Sequence, residues 1–231
     1  MSSDERILVE QIAYYRARAA EYDEWFNREG RYDRGPLQRA RWFAEIQMIE
    51  AALASMAPLG DVLELACGTG LWTERLASLA RSVRAIDASP EAVAINRARV
   101  AAGHVEYEVA DIFTMPAPAA ADVVFFAFWL SHVPSTLFEP FWRLVRASLR
   151  KGGRVFFVDS LLEPSSTAVD HDAPDNSGIV RRKLNDGREF TIVKKFYEPT
   201  RLERMLVSLD WHARVRSTGA YFLYGTAEPA E

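Results

Sequence analysis

The sequence predicts an α/β fold: a doubly wound, seven-stranded sheet with helices on both faces, two N-terminal cap helices and an inserted β-hairpin. Three observations point there. Between residues 58 and 160, apolar runs of strand length alternate with helical stretches, the rhythm of a largely parallel sheet. Runs such as Asp122-Val-Val-Phe-Phe-Ala-Phe128 are almost continuously apolar, as strands covered on both faces must be. The run Val62-Leu-Glu-Leu-Ala-Cys-Gly-Thr-Gly70 ends in a glycine turn, and seventeen residues later Val83-Arg-Ala-Ile-Asp87 ends in an acid. That pairing is a nucleoside-binding crevice in outline.

The elements follow in order. Residues 6–29 read as one helix rich in Ala, Arg and Glu, with aromatics at Tyr14, Tyr15, Tyr22, Trp25 and Phe26. Gly30 and Gly35-Pro36 break it, and Pro36 suits the first turn of a second helix running to about Ala57. These cap helices occupy 1–57, and the core spans 58–231. Strands are expected at 61–66, 83–87, 105–110, 121–128 and 153–159, with helices at 71–80, 90–101 and 135–149 between them. Ser89-Pro90-Glu91 is a capped helix start, and Lys151-Gly152-Gly153 is expected to close the helix before the fifth strand. From Leu161 the rhythm changes. Residues 163–178, rich in Pro, Ser and Asp, read as a mobile loop, and 179–184 and 188–196 flank Asn185-Asp186-Gly187, a strong hairpin signal. This loop and hairpin form an insertion over 161–198. A helix near 200–209 and strands near 211–216 and 220–226 close the chain.

Composition narrows the function classes. At 231 residues with 49% hydrophobic and 26% charged content, the chain can bury one full core. A net charge of −4 argues against a nucleic-acid surface, which is ordinarily basic. No apolar run reaches membrane-spanning length, and the polar start Met-Ser-Ser-Asp-Glu-Arg is no signal peptide, so a cytoplasmic protein is expected. The single cysteine, Cys67, excludes an internal disulfide and a multi-cysteine metal site. Asp170-His171-Asp172 has no further His at ligand spacing, so no metal is expected there.

The spacing of the glycine turn narrows the ligand. A dinucleotide site would favour a third glycine where Thr73 stands, and Glu64 inside the strand would repel a pyrophosphate. A cationic ligand tolerates Glu64. The acid-x-x-x-Gly-x-Gly pattern of Glu64, Gly68 and Gly70 resembles motif I of the class I S-adenosylmethionine (SAM) methyltransferases, whose Rossmann-like sheet has the same order of elements. The resemblance implies that Glu64, Gly68 and Gly70 line the methionine side of SAM and that Asp87 accepts from the ribose hydroxyls. It also implies that Asp111 and Ile112, ending the third strand, face adenine. The product form would be S-adenosylhomocysteine (SAH).

Ligands in an open α/β sheet bind beyond the carboxyl ends of the strands. Phe128, Trp129 and His132, after the fourth strand, are therefore expected around the methyl-transfer centre, with Phe128 and Trp129 enclosing the sulfonium. His132 is the candidate catalytic residue, either as a base toward an alcohol or as an orienter for an acceptor already ionised. Tyr15 and Tyr22 share one helical face with Arg18 between them, resembling the cap helix of small-molecule methyltransferases, in which tyrosines reach the SAM carboxylate and the substrate. A three-residue turn at 185–187 sets Val180, Arg182, Leu184, Phe190, Ile192, Lys194 and Phe196 on one hairpin face. Arg182 and Lys194 are costly there unless they meet an anion, pair with local acids or reach the edge.

Together, the Tyr14–Asp23 run, the Phe125–Pro134 stretch and the Arg182/Lys194 hairpin resemble natural-product O-methyltransferases of the phosphonate and carboxylate type. The expected reaction is methyl transfer to an oxygen of a small, anionic acceptor by a monomer or homodimer that engages neither nucleic acid nor membrane. Apolar Phe128 suits a phosphonate less well and keeps a carboxylate or hydroxyl compound open. Two alternatives stand beside it: N-methylation of a small amine bearing an acid, and SAM binding without catalysis.

Overall fold

The structure, a computed structural model, describes residues 3–117, 120–171 and 178–230. Helix α1 (Ser3–Arg18) leads through a 3₁₀ turn into α2 (Tyr22–Asn27), and α3 (Pro36–Ala54) completes the cap. Strands β1 (Asp61–Leu65), β2 (Ser82–Asp87) and β3 (Val105–Val109) alternate with α4 (Thr73–Leu79) and α5 (Pro90–Arg99). Then come β4 (Ala121–Ala127), α6 (Phe138–Ser148) and β5 (Leu149–Ser160), the hairpin β6 (Ile179–Lys183) and β7 (Glu189–Val193), α7 (Pro199–Val207), β8 (Trp211–Ser217) and β9 (Phe222–Pro229).

The main sheet runs β3-β2-β1-β4-β5-β9-β8, parallel except where β9 pairs antiparallel with β5 and β8. Along β4, Val123 and Phe125 enter one core layer with Trp42, Ile49 and Leu76, while Val124 and Phe126 enter the other with Trp142, Val145 and Leu202. This two-sided burial is why the strand reads as a continuous apolar run. Phe125 and Phe126 stack on Phe156 and Phe157 of β5, with ring centroids 6.1 and 5.7 Å apart.

Chain order reverses between β1 and β4, and both strands end in a left-handed residue: Ala66 at φ 55° and Phe128 at φ 56°. Two non-glycine residues in this region at neighbouring strand ends store strain where the crevice opens.

Three expectations change. The single helix over 6–29 is broken: α1 ends at Arg18, and Arg28 (φ 58°) caps α2. The cap's long helix stops at Ala54 rather than near Ala57. Lys151-Gly152-Gly153 does not close a helix; α6 ends at Ser148, and the glycines lie within β5, with Gly152 at φ 76°. The 163–178 loop is described only to His171 and from Gly178. Asp172 of the Asp-His-Asp triplet lies outside the described residues. Among the described residues no metal-ligand cluster occurs, and no helix is long and apolar enough to cross a membrane.

A two-stranded hairpin is marginal alone. This one rests on α1, where Tyr14 packs with Val180, Leu184 and Ile192. The Gln11 amide joins three elements: its Nε2 donates to the His132 carbonyl at 3.1 Å, and its Oε1 accepts from the Val193 N–H at 3.1 Å. The turn is the expected three-residue one, closed by the Leu184 N–H to the Arg188 carbonyl.

Candidate active site

Two cavities meet above the reversal point. The first lies between α1 and the carboxyl ends of β1, β2 and β4, and is lined by Gly68, Asp87, Asp111, Ile112 and Trp129 among others. The second lies between α1, the hairpin and the 163–171 segment, and includes Arg18, Arg182 and Lys194. Tyr15, Tyr22, Phe128 and His132 line both, so they form the junction.

In the first cavity, Asp87 is held by the turn it faces. Its two carboxylate oxygens accept from the Gly68 N–H at 2.9 Å and the Ser89 N–H at 2.8 Å. Burial raises its pKa, and these amides oppose the rise. Asp111 accepts from the Phe113 N–H at 2.9 Å, fixing the loop that presents buried Ile112. Trp129 packs against Phe113 at 5.6 Å on this side and does not line the second cavity.

Glu64 lines an adjoining recess with Tyr22, Cys67, Gly68, Trp72 and Phe128. Burial pushes its carboxyl up to about 8, against a 2.7 Å hydrogen bond from the Thr73 hydroxyl. In the same recess the buried Trp72 indole N–H has no protein partner. An unpaired buried donor is costly. Gly70 lies outside these cavities. A Cβ there would sit 2.4 Å from Asn96 Oδ1, and its φ of 94° also requires glycine. Its position serves the packing of the turn on α5.

At the junction, buried His132 is bonded through both ring nitrogens. Nδ1 lies 2.6 Å from the Val193 carbonyl, which only accepts, so Nδ1 carries the proton. Nε2 is then the acceptor for the Tyr15 hydroxyl at 2.8 Å. Burial first, and then Lys194, hold the imidazole well below its ordinary pKa, so the ring is neutral. Burial likewise keeps the Tyr15 hydroxyl protonated.

The second cavity carries the cations. Arg18 lies against the Tyr14 and Tyr22 rings, and its Nε is buried without a hydrogen-bond partner. Arg182 Nη1 and the Tyr14 hydroxyl are likewise buried and unpartnered. Neither arginine has a carboxylate partner among the described residues. Lys194 differs: its Nζ donates to the Ser131 hydroxyl at 2.8 Å and lies 3.7 Å from Asp159 Oδ1. Glu163 also lines the cavity, its carboxylate capping the Ser165 N–H at 3.0 Å.

Sequence reasoning missed several supports. Asp23 of α2 accepts from the Thr69 hydroxyl at 2.6 Å and pairs with Arg99, tying the cap to the glycine turn. Fully buried Arg28 lies over Trp42 and donates to the carbonyls of Ser165 and Ser166, the latter a lining residue of the second cavity. Asp159 and Trp72 were equally unmarked. Only Asp159 had a local cue, as an acid at the carboxyl end of a buried strand.

Comparison with known proteins follows this geometry. The methyltransferase-domain family model matches residues 62–153. The structure of a DhpI–SAH complex superposes with a TM-score of 0.78 at 38% identity, covering 97% of this chain and 97% of that one. The DhpI–SAM–HEP complex gives the same score and identity over 96% and 98% of the two chains. The ubiquinone biosynthesis O-methyltransferase of Xanthomonas campestris is 27% identical over 192 residues, 81% of this chain and 75% of the relative. With a relative of 38% identity over 97% of its length, the chain belongs to the class I SAM-dependent methyltransferases and uses SAM as its methyl donor.

Proposed function

We propose that the protein methylates an oxygen of a small anionic molecule: a carboxylate, a phosphonate or a hydroxyl compound bearing an acid. The observation that carries this reading is the pair Arg18 and Arg182, buried without acidic partners among the described residues, in the cavity that meets the cofactor cavity at Tyr15, Tyr22, Phe128 and His132. Leaving such charges uncompensated is expensive, and an anionic acceptor would neutralise them. The DhpI–SAM–HEP complex, in which that protein holds a second molecule with SAM, agrees with a small-molecule acceptor.

Bound SAM supplies a methyl group on a sulfonium. The residues of the first cavity suit its parts. Asp87 retains lone pairs for ribose hydroxyls after accepting from Gly68 and Ser89. Asp111 and Ile112 suit adenine, Glu64 an ammonium, and the free Trp72 N–H a carboxylate. Phe128 offers an aromatic face at the junction, and Trp129 lies with Phe113 on the adenine side. The protein's contribution to an in-line displacement is alignment, worth about 7–11 kcal/mol in favourable cases. An acid oxygen is already ionised at neutral pH and needs no base. His132, with both nitrogens engaged, is then the residue that orients Tyr15.

A screen with methyl-labelled SAM across small carboxylates, phosphonates, phenols and amines tests this. Label is expected on an acid or its hydroxyl oxygen; transfer confined to amines would overturn the reading. With the acceptor so found, Arg182→Met should raise its KM about tenfold or more, the scale of one charge-assisted hydrogen bond, and leave SAM affinity unchanged.

A further inference from the structure

Asp159, at the end of β5, is 1% exposed and lines neither cavity. Its Oδ2 accepts from the Ser131 N–H at 2.7 Å, and its Oδ1 accepts from the Ser160 N–H at 2.7 Å and faces Lys194 Nζ at 3.7 Å. Ser131 is held on three sides: its N–H by Asp159, its hydroxyl by Lys194 and its carbonyl by the Lys195 N–H at 2.8 Å. Ser131 immediately precedes His132. One carboxylate thus joins a strand of the core, the loop that carries the junction histidine and the cation that the hairpin brings to the second cavity.

The charge balance gives this contact a consequence. Lys194 lines the second cavity with Arg18 of α1, Arg182 of β6 and Glu163 and His171 of the 163–171 segment, and His132, Tyr14, Tyr15, Tyr22 and Tyr32 face the same space. On its outer side it borders a groove that holds Glu139, Lys195, Tyr197, Glu198 and Arg201. Lys195 turns away to the Ser135 hydroxyl, and Glu198 caps the first turn of α7. Asp159 is the carboxylate within 4 Å of Lys194 among the described residues. Two arginines disfavour a third charge in a buried site, and an opposite charge at this range favours it.

We propose that Asp159 is a positioning residue for methyl transfer, holding Lys194 ionised and aimed into the second cavity, and thereby setting the pH range over which an anionic acceptor binds. The proposal rests on the anionic-acceptor reading above. Burial already brings Lys194 down to about 8, with Asp159 the largest opposing influence and Arg182 and Arg18 adding to the fall. The positive charge is therefore present below that value and lost as pH rises through it. Without the Asp159 carboxylate, the loss comes at lower pH.

The chain has four lysines, so the Lys194 ¹³Cε resonance can be identified as the one missing in Lys194→Met. In SAH-bound protein its titration midpoint should fall by about one unit or more in Asp159→Asn. An unchanged midpoint overturns the proposal. Asp159→Ser provides a second neutral variant, so the midpoint is read in whichever of the two is folded.

Sulfate, whose charge is constant from pH 6 to 9, is the binding probe, measured by calorimetry on SAH-saturated protein. Its affinity should decline with rising pH, and earlier in Asp159→Asn. In a Lys194→Met background, Asp159→Asn should leave the profile unmoved; an equal effect there would make Asp159 merely structural and defeat the proposal. If Arg182→Met and Lys194→Met both leave sulfate affinity intact, the anionic-acceptor reading fails instead. The lysine titration still decides the Asp159–Lys194 coupling.

Discussion

His132 is legible as a candidate from its place after the fourth strand, but its role is not. Its partners, Tyr15 and Val193, lie 117 and 61 residues away, and only folding shows that both nitrogens are occupied. The same limit applies to the cations: Arg182 and Lys194 line one cavity, yet Lys194 has an acid beside it and Arg182 does not among the described residues. A neutral imidazole holding a tyrosine hydroxyl behaves as a unit. Tyr15→Phe leaves Nε2 buried and unpaired, and His132→Ala leaves the hydroxyl unheld, each costing about 1–3 kcal/mol of positioning. We expect kcat to fall roughly tenfold to a hundredfold in each single variant, and little further in the double, because neighbours in one network are not additive. With the histidine held well below its ordinary pKa, the wild-type rate on an ionised acceptor should show no inflection near pH 6.5. Steady-state kinetics of the three variants check this. Fully multiplied losses, or an inflection abolished by His132→Ala, would restore a base.

At the scale of elements, every strand of the main sheet was legible, because apolar runs of strand length and their turn residues are local signals. The cap was read less well. Nothing in Ala19-Ala-Glu21 breaks a helix; the break is imposed from outside. Asp23 is drawn to Thr69 and Arg99, and Arg28 turns left-handed at the end of α2 to reach the Ser165 and Ser166 carbonyls over the Trp42 ring. Such long-range hydrogen bonds leave no periodicity in the sequence. They also show that, among the described residues, the hydrogen bonds from α2 to the glycine turn run through one side chain, Asp23. Asp23→Ala removes both of its contacts and should loosen α2 over the cofactor cavity without unfolding the core. Since Asp23 and Arg99 remain about a quarter exposed, solvent screening limits the effect. SAH should dissociate a few-fold faster, with faster amide exchange confined to residues 19–32. Unchanged exchange there would show that the cap is held elsewhere.

Over the whole molecule, the strand order places the crevice. The reversal between β1 and β4 brings Glu64, the glycine turn, Asp87 and Phe128 to one rim, which is why the spacing of these residues outlines a crevice in the sequence. The second cavity has no such code. Its walls come from α1, the 163–171 segment and the hairpin, and their docking, not their sequence order, makes it one space. Folding itself is coupled to the first rim through Glu64. Its carboxyl is near 8 in the folded protein, whereas an unfolded glutamate titrates near 4.3. The folded state therefore holds an extra proton between those values. Its stabilising contribution is complete below the unfolded value and is lost as pH rises through about 8. An ammonium brought beside Glu64 favours the ionised form, so cofactor binding should release that proton. Thermal unfolding with and without SAH, from pH 6.5 to 8.5, measures both effects. The free protein should lose stability across this range, while the gain conferred by saturating SAH grows, equivalent to about a tenfold fall in apparent Kd. Glu64→Gln should flatten both slopes. Equal slopes in wild type and variant would remove Glu64 from the cofactor's ammonium and leave the recess to Trp72 alone.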